Sequence, residues 1–312
     1  MELDYTGILN AIQDANVITI YRHTHPDCDA LSSQNALYTW ITKNYPDKEV
    51  YMLGDETTDQ TKYPPSHKVA LDKIQQSTAI VVDTANKERV DDQRFLQANH
   101  IVKIDHHPNN DPFGDENYVV ETAAATCEIL TNFFANVLSK EIDYEIAEYL
   151  YKGLLTDTLC FRTSNTTKHT LQMAAILAGY NIDIPAINRE LFDISYANFE
   201  FSTWIRQNVR RKGEHFAYVV IHQDVLDRFH LTGSSARNRI DELGHVKEFT
   251  IWALFTQRPD SELFDGSLRS KTATINTIAS KYNGGGHKNA CGVKDLNETN
   301  LQSLIDDLYK IS

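Results

Sequence analysis

The 312 residues include 30 lysines and arginines against 43 aspartates and glutamates, and this net charge of −13 disfavours a role in coating long nucleic acid. A hydrophobic share of 41% and a charged share of 23% are those of an ordinary globular protein, long enough for two domains with a core each. No apolar run approaches the roughly 20 residues that span a bilayer, the start lacks the plan of a signal peptide, and Cys28, Cys127, Cys160 and Cys291 are too scattered to indicate a disulfide framework or a zinc knuckle; a cytoplasmic, reducing setting is expected.

Three runs rich in Val and Ile come first along the chain: VITIY at 17–21, AIVV at 79–82 and HIVKI at 100–104. They read as strands separated by helix-compatible segments, which predicts α/β architecture with an open, mostly parallel sheet flanked by helices. Each run is followed at once by ionisable residues, and ligands of such sheets bind beyond the carboxyl ends of the strands. The segment IDYEIAEYLYKGLLTD at 142–157 has helical spacing, is expected to end near Gly153, and leads to a further acid, Asp157.

The first domain is expected to occupy residues 1–188. Leu191, Phe192, Phe199 and Trp204, followed by Arg206, Arg210 and Arg211, predict a linking helix over 189–212. A smaller α+β domain should fill 213–312, with strand-like AYVVI and FTIWALF around the polar GSSARNRIDEL, closing on YNGGGHKNACGV.

The first ionisable cluster puts His23, Asp27 and Asp29 within seven residues, stiffened by Pro26. Carboxylate oxygens with imidazole nitrogen suit Mn²⁺ or Mg²⁺, and the absence of thiolates disfavours structural zinc. Taken singly, Asp27-x-Asp29 also suits turn chemistry or a helix N-cap, Asp83 could cap a helix beginning near Asn86, and Asp105-His106-His107 could be solvated loop residues. Their joint placement after apolar runs is what favours one shared site.

These residues carry a resemblance to the DHH phosphoesterase superfamily, which includes RecJ nucleases, family II inorganic pyrophosphatases and small oligoribonucleases. His23-Thr-His-Pro-Asp27-Cys-Asp29 is similar to its first motif, Val-Val-Asp83 to the second, Asp105-His106-His107 to the third and Leu-Leu-Thr-Asp157 to the fourth. GGGHKNACG at 284–292 resembles the glycine-rich motif of the associated C-terminal domain. Cys28 and Ser32 stand where glycine is frequent in the superfamily, which puts the tightness and redox sensitivity of that loop in question.

The resemblance implies a pair of divalent cations, Mn²⁺ before Mg²⁺: His23, Asp27 and Asp83 on one, Asp29, Asp83, His106 and Asp157 on the other. Asp83 would bridge. Asp105 is implied to orient an imidazole and His107 to meet the phosphate. Ser32 and Ser33 would then be helix-start residues, not nucleophiles. In the second domain, across a cleft from the metals, the resemblance implies substrate contacts from Gly284, Gly285, Gly286, His287 and Lys288, with Arg269 as a second contact. Arg237 and Arg239 are alternatives.

The implied reaction is hydrolysis of phosphate esters in very short RNAs and in 3′-phosphoadenosine 5′-phosphate. The alternative is a soluble phosphodiesterase for cyclic dinucleotides or their linear products. Expected partners are a short RNA or a mononucleotide bisphosphate, with no long nucleic acid, no membrane, and a homodimer left open.

Overall fold

The computed structural model describes residues 4–54, 63–137 and 142–312. It divides into two compact units, Met1–Asp193 and Ile194–Ser312.

The first unit runs α1 (Thr6–Asp14), β1 (Val17–Tyr21), α2 (Cys28–Asn44), β2 (Glu49–Met52), α3 (Leu71–Gln75), β3 (Thr78–Val82), β4 (His100–Asp105), β5 (Glu116–Val119), α4 (Thr126–Asn132), α5 (Tyr144–Asp157), α6 (Lys168–Ala178) and α7 (Ile184–Phe192). Its strands are ordered β2-β1-β3-β4-β5, every neighbouring pair parallel. β1 and β3 are buried at every position. A strand covered by helices on both faces needs apolar residues throughout, and this is why both read as unbroken Val/Ile runs.

The order reverses between β1 and β3, because the chain places β2 outside β1 and then returns to the other side of β1 to build β3 and β4. Two neighbouring connections leave in opposite directions there, opening a crevice at the strand ends. His23 follows β1 and Asp83 follows β3, so both border it.

Helices α2 and α5 pack closely against one another, and Gly153 is the reason they can. A Cβ at Gly153 would lie 2.4 Å from Cys127 Sγ and 2.8 Å from Asp29 Oδ1. The expectation that the helix stops near Gly153 is corrected: α5 continues to Asp157. The glycine allows close approach rather than terminating the helix, and the extra turn carries Asp157 to its C-terminal end.

The expected linking helix over 189–212 is likewise corrected. Residues 193–195 interrupt it, Asp193 being extended and Ser195 accepting from the Asn198 N–H to start α8 (Tyr196–Gln207). A capping serine satisfies an N–H that an uninterrupted helix would bond internally, so the sequence opens a new helix here. Arg210 and Arg211 lie beyond α8, in β6 (Arg210–Lys212).

The second unit continues with β7 (Phe216–Ile221), α9 (Gln223–Arg228), α10 (Gly233–Arg237), α11 (Asp241–Gly244), β8 (Ile251–Gln257), β9 (Phe264–Ser270), α12 (Asn276–Ala279), β10 (Gly284–His287), β11 (Ala290–Leu296) and α13 (Glu298–Tyr309). The sheet order is β10-β11-β9-β8-β7-β6, and β7–β8 is its parallel pair. Alternate residues of β7 feed two cores: Phe216 joins Leu304 and Leu308 of α13, whereas Ala217, Val219 and Ile221 join Leu226, Ala236 and Leu243 of α9 to α11. No helix among the described residues is long and apolar enough to cross a membrane.

Candidate metal centre

β1 ends at Tyr21, and the chain then turns through His23 toward α2. Thr24 N–H bonds Arg89 O at 2.7 Å and Asp91 N–H bonds Arg22 O at 2.9 Å, pinning this loop to the segment after β3. The buried Arg22 guanidinium pairs with Asp91. Asp27 caps α2, its Oδ1 accepting from Ala30 N–H at 3.1 Å. Capping uses one carboxylate oxygen only; Oδ2 lies 3.7 Å from His23 Nε2, so the N-cap and the ligand readings of Asp27 are compatible.

Asp83 sits at the end of β3 in the left-handed region, φ 49°, a backbone conformation costing about 1 kcal/mol or more in a non-glycine residue. It caps no helix; the turn at Lys87–Arg89 begins beyond it. Its Oδ2 is 3.6 Å from His23 Nε2, and its Oδ1 is 3.4 Å from His106 Nε2 and 3.7 Å from His107 Nδ1. Asp157 Oδ2 completes the line, 3.3 Å from His106 Nε2. Asp29 is fully buried, with Oδ2 accepting from Thr126 N–H at 2.7 Å and Oδ1 from Cys127 N–H at 3.0 Å.

Three groups of potential ligand atoms lie within 4.8 Å of one another: His23, Asp27 and Asp83; Asp29, His106 and Asp157; and Asp83, His106 and His107. Asp83 and His106 each appear twice. His23 Nδ1 meets Thr24 O at 2.8 Å, which leaves Nε2 as its free nitrogen. The donors are carboxylate oxygen and imidazole nitrogen without thiolate, the chemistry of a hard or borderline divalent cation.

The charge of the protein groups taken by themselves is out of balance in the direction a cation would correct. Burial, then the charges of Asp83 and other neighbours, pushes the Asp29 carboxyl up to about 7. Burial, Asp29, Asp83 and Asp27 push Asp157 up to about 9. Burial acts against the protonated imidazoles of His23 and His106, but the facing aspartates outweigh it and raise both to about 10. Burial also opposes ionisation of Asp83, yet hydrogen bonds from His106 and His23 hold it well below the usual carboxylate range. Protons thus occupy sites that divalent cations could take.

Asp105 is fully buried behind this cluster. Its Oδ1 accepts from His106 N–H at 2.9 Å, His107 N–H at 3.2 Å and His107 Nδ1 at 2.8 Å. Its Oδ2 has no hydrogen-bond partner but lies 3.4 Å from Lys103 Nζ, itself fully buried and donating to Ala85 O at 2.9 Å. Sequence reasoning missed Lys103 and Thr126 altogether and, of Cys127 and Gly153, the contacts they make with Asp29. Only Lys103 carried a usable signal, as a charge inside an otherwise apolar strand with the same facing as Asp105.

Residues 17–154 match the DHH family, N-terminal domain, and residues 214–311 match the DHHA1 domain. A Streptococcus mutans protein named a probable bifunctional oligoribonuclease and PAP phosphatase, NrnA, is 33% identical over 98% of each chain. The chain belongs to the DHH family. A DHH relative from Bacillus subtilis, named a bifunctional oligoribonuclease and PAP phosphatase, is 31% identical over 97% of each chain. The crystal structure of an exopolyphosphatase-related protein from Bacteroides fragilis shares the fold, with a TM-score of 0.84 at 19% identity, covering 98% of this chain and 96% of that one.

Against the DHH motifs, Cys28 and Ser32 lie in α2 and both meet the Tyr63 hydroxyl, at 3.2 and 2.9 Å. Burial raises the Cys28 thiol, which disfavours the thiolate form. Ser33 bonds Ala30 O within the helix. Within the DHHA1 unit, Gly284, Gly285, Gly286 and His287 form strand β10 rather than a turn, and Gly286 has φ 137°, which only glycine adopts readily. Ala290 pairs with His287 on one side and Arg269 on the other, setting those residues in one row. His287 and Lys288 are exposed. Arg237 binds the Thr256 hydroxyl and lies 3.9 Å from Asp265, while Arg239 is half-buried.

Proposed function

We propose that this protein is a divalent-metal-dependent phosphoesterase that hydrolyses short oligoribonucleotides and 3′-phosphoadenosine 5′-phosphate. The observation that carries the substrate is the end-to-end likeness, at 31–33% identity, to relatives named for those two activities. The reaction class is supported separately by the convergence of His23, Asp27, Asp29, Asp83, His106 and Asp157 at the strand ends.

His23, Asp27 and Asp83 would hold one cation, and Asp29, His106 and Asp157, with Asp83 shared, a second; Mn²⁺ fits this donor set best and Mg²⁺ next. When bound, such a pair activates water and neutralises phosphoryl charge. The chain's own groups supply orientation. Thr24 O holds His23 so that Nε2 faces the carboxylates. Asp105 holds His107 at Nδ1, and His107 Nε2 would then meet a phosphoryl oxygen. Gly284, Gly285, Gly286, His287, Lys288 and Arg269 are proposed to bind the rest of the substrate, the guanidinium by a charge-assisted contact with phosphate or by stacking on a base.

The test is a product ladder on end-labelled RNAs from dinucleotide upward, run beside 3′-phosphoadenosine 5′-phosphate, a cyclic dinucleotide and pyrophosphate with added Mn²⁺. Turnover of the shortest RNAs and of the bisphosphate is expected. Preference for the cyclic dinucleotide or for pyrophosphate would overturn the substrate assignment, and no hydrolysis with any divalent ion would overturn the enzyme.

A further inference from the structure

Asp29 and Asp83 belong to different elements, the first turn of α2 and the end of β3, yet one residue of a third element touches both. Thr126 opens α4. Its N–H donates to Asp29 Oδ2 at 2.7 Å, and its hydroxyl donates to Asp83 Oδ1 at 3.1 Å. Thr126, Asp29 and Asp83 are all buried, so water does not compete for these bonds.

The two contacts do different work. Asp29 lies across the successive N–H groups of Thr126 and Cys127, an arrangement that any residue at position 126 other than proline would preserve. Asp83 depends on the hydroxyl. Rotation about the last bond of an aspartate is soft and its two oxygens are equivalent, so nothing intrinsic to Asp83 fixes the angle at which its carboxylate plane stands. The branched threonine is stiff, and its hydroxyl ties down Oδ1 on the side of His106 and His107, leaving Oδ2 toward His23. A carboxylate meant to serve two ligand groups needs its plane held at such an angle.

We propose that Thr126 is a positioning residue that presets the metal centre, its amide aligning Asp29 and its hydroxyl turning Asp83 so that each oxygen addresses a separate group of ligands. The inference rests on the metal-centre reading of the site. Donation to both carboxylates also offsets part of their mutual repulsion before a cation arrives, and so favours binding.

Thr126→Val keeps the shape and the main-chain donor and removes only the hydroxyl; Thr126→Ser keeps the hydroxyl and removes a methyl group. Calorimetric titration of the chelator-stripped full chain with Mn²⁺ should show about tenfold to a hundredfold weaker binding in the valine variant, the usual effect of losing a group that orients a ligand. The serine variant should bind close to wild type. Should valine prevent folding, the Ser and Ala variants replace the pair, since both lack the methyl group and differ only in the hydroxyl. Unchanged affinity without the hydroxyl, or equal losses with and without it, would overturn the proposal. A wild-type chain that binds no Mn²⁺ would overturn the metal centre itself and Thr126's role with it.

Discussion

The ends of β1, β3 and β4 and the glycine strand β10 both hold residues that motif comparison singles out, but they are built on opposite plans. At the strand ends the charged groups are buried or partly buried, Asp27 excepted, and mutually dependent: Asp83 alone lies within 3.7 Å of three imidazoles. Along β10 the backbone is largely exposed, and no Cβ at Gly285 would meet any atom within 4 Å. Charges buried in low dielectric interact strongly, while exposed ones are screened by water and salt. Substitutions in the first region should therefore act through the whole cluster, and those in the second should act locally.

The largest expected effect is that of Asp83→Ala. Both ligand groups lose a shared carboxylate, so turnover should fall by more than the roughly hundredfold that loss of an outer-sphere partner costs. Rates measured with each substrate at saturating Mn²⁺ check this, and a loss confined to one substrate would break the picture of a single interdependent centre.

Proton linkage gives a second check. In the ion-free fold Asp29, at about 7, and Asp157, at about 9, hold protons that the unfolded chain releases near its ordinary carboxylate pKa of about 4. Their folded pKa is raised, so their contribution is greatest in acid and is lost as pH rises through those values. His23 and His106, raised to about 10, act in the same direction. Asp83 has the opposite sign, but its window lies below neutral pH. Thermal melting with chelator should thus show Tm falling from pH 6 to pH 9, and the rise in Tm on adding Mn²⁺ should grow over the same range. A Tm that climbs with pH would contradict the charge balance described for the site.

Gly153→Ala should cost about 1–3 kcal/mol, the usual penalty of overpacking, because the added Cβ would press on Cys127 Sγ and Asp29 Oδ1. Denaturant unfolding measures it. Arg269→Ala should raise KM for short RNA about tenfold, the worth of one charge-assisted contact, without changing metal content. The smallest effect is expected at Gly285→Ala, within about 0.5 kcal/mol in stability. Gly286→Ala should cost more than about 1 kcal/mol, since its φ of 137° is reserved for glycine and its Cβ would lie 2.5 Å from Ala290 O. If Gly285→Ala spared stability yet abolished RNA binding, the exposed strand would be marked as a substrate surface.

Much of the first unit was legible because buried parallel strands must be apolar along their whole length. VITIY, AIVV and HIVKI therefore stood out, and the ionisable residues just beyond them marked the site. The edge strands β2 and β5 escaped notice because they are only partly buried and need no such run. Gly153 misled because a glycine late in a helical pattern reads as an end, whereas here it makes room for a neighbouring helix. The break at 193–195 was hidden because apolar spacing continued on both sides of Ser195, and the cap depends on a single hydroxyl.

From the order of residues alone came the α/β architecture of the first unit and the ionisable clusters after its strands, since strand burial and donor chemistry are written locally; the set of six proposed ligands came from the resemblance of those clusters to the DHH motifs. The tertiary structure decided how those side chains are held. Thr126 reaches Asp29 across 97 positions of the chain, and the protonation of Asp29 and Asp157 depends on charges brought together from four separate segments. Contacts between distant segments and the burial that strengthens them exist only once the chain has folded, so no local pattern could report them.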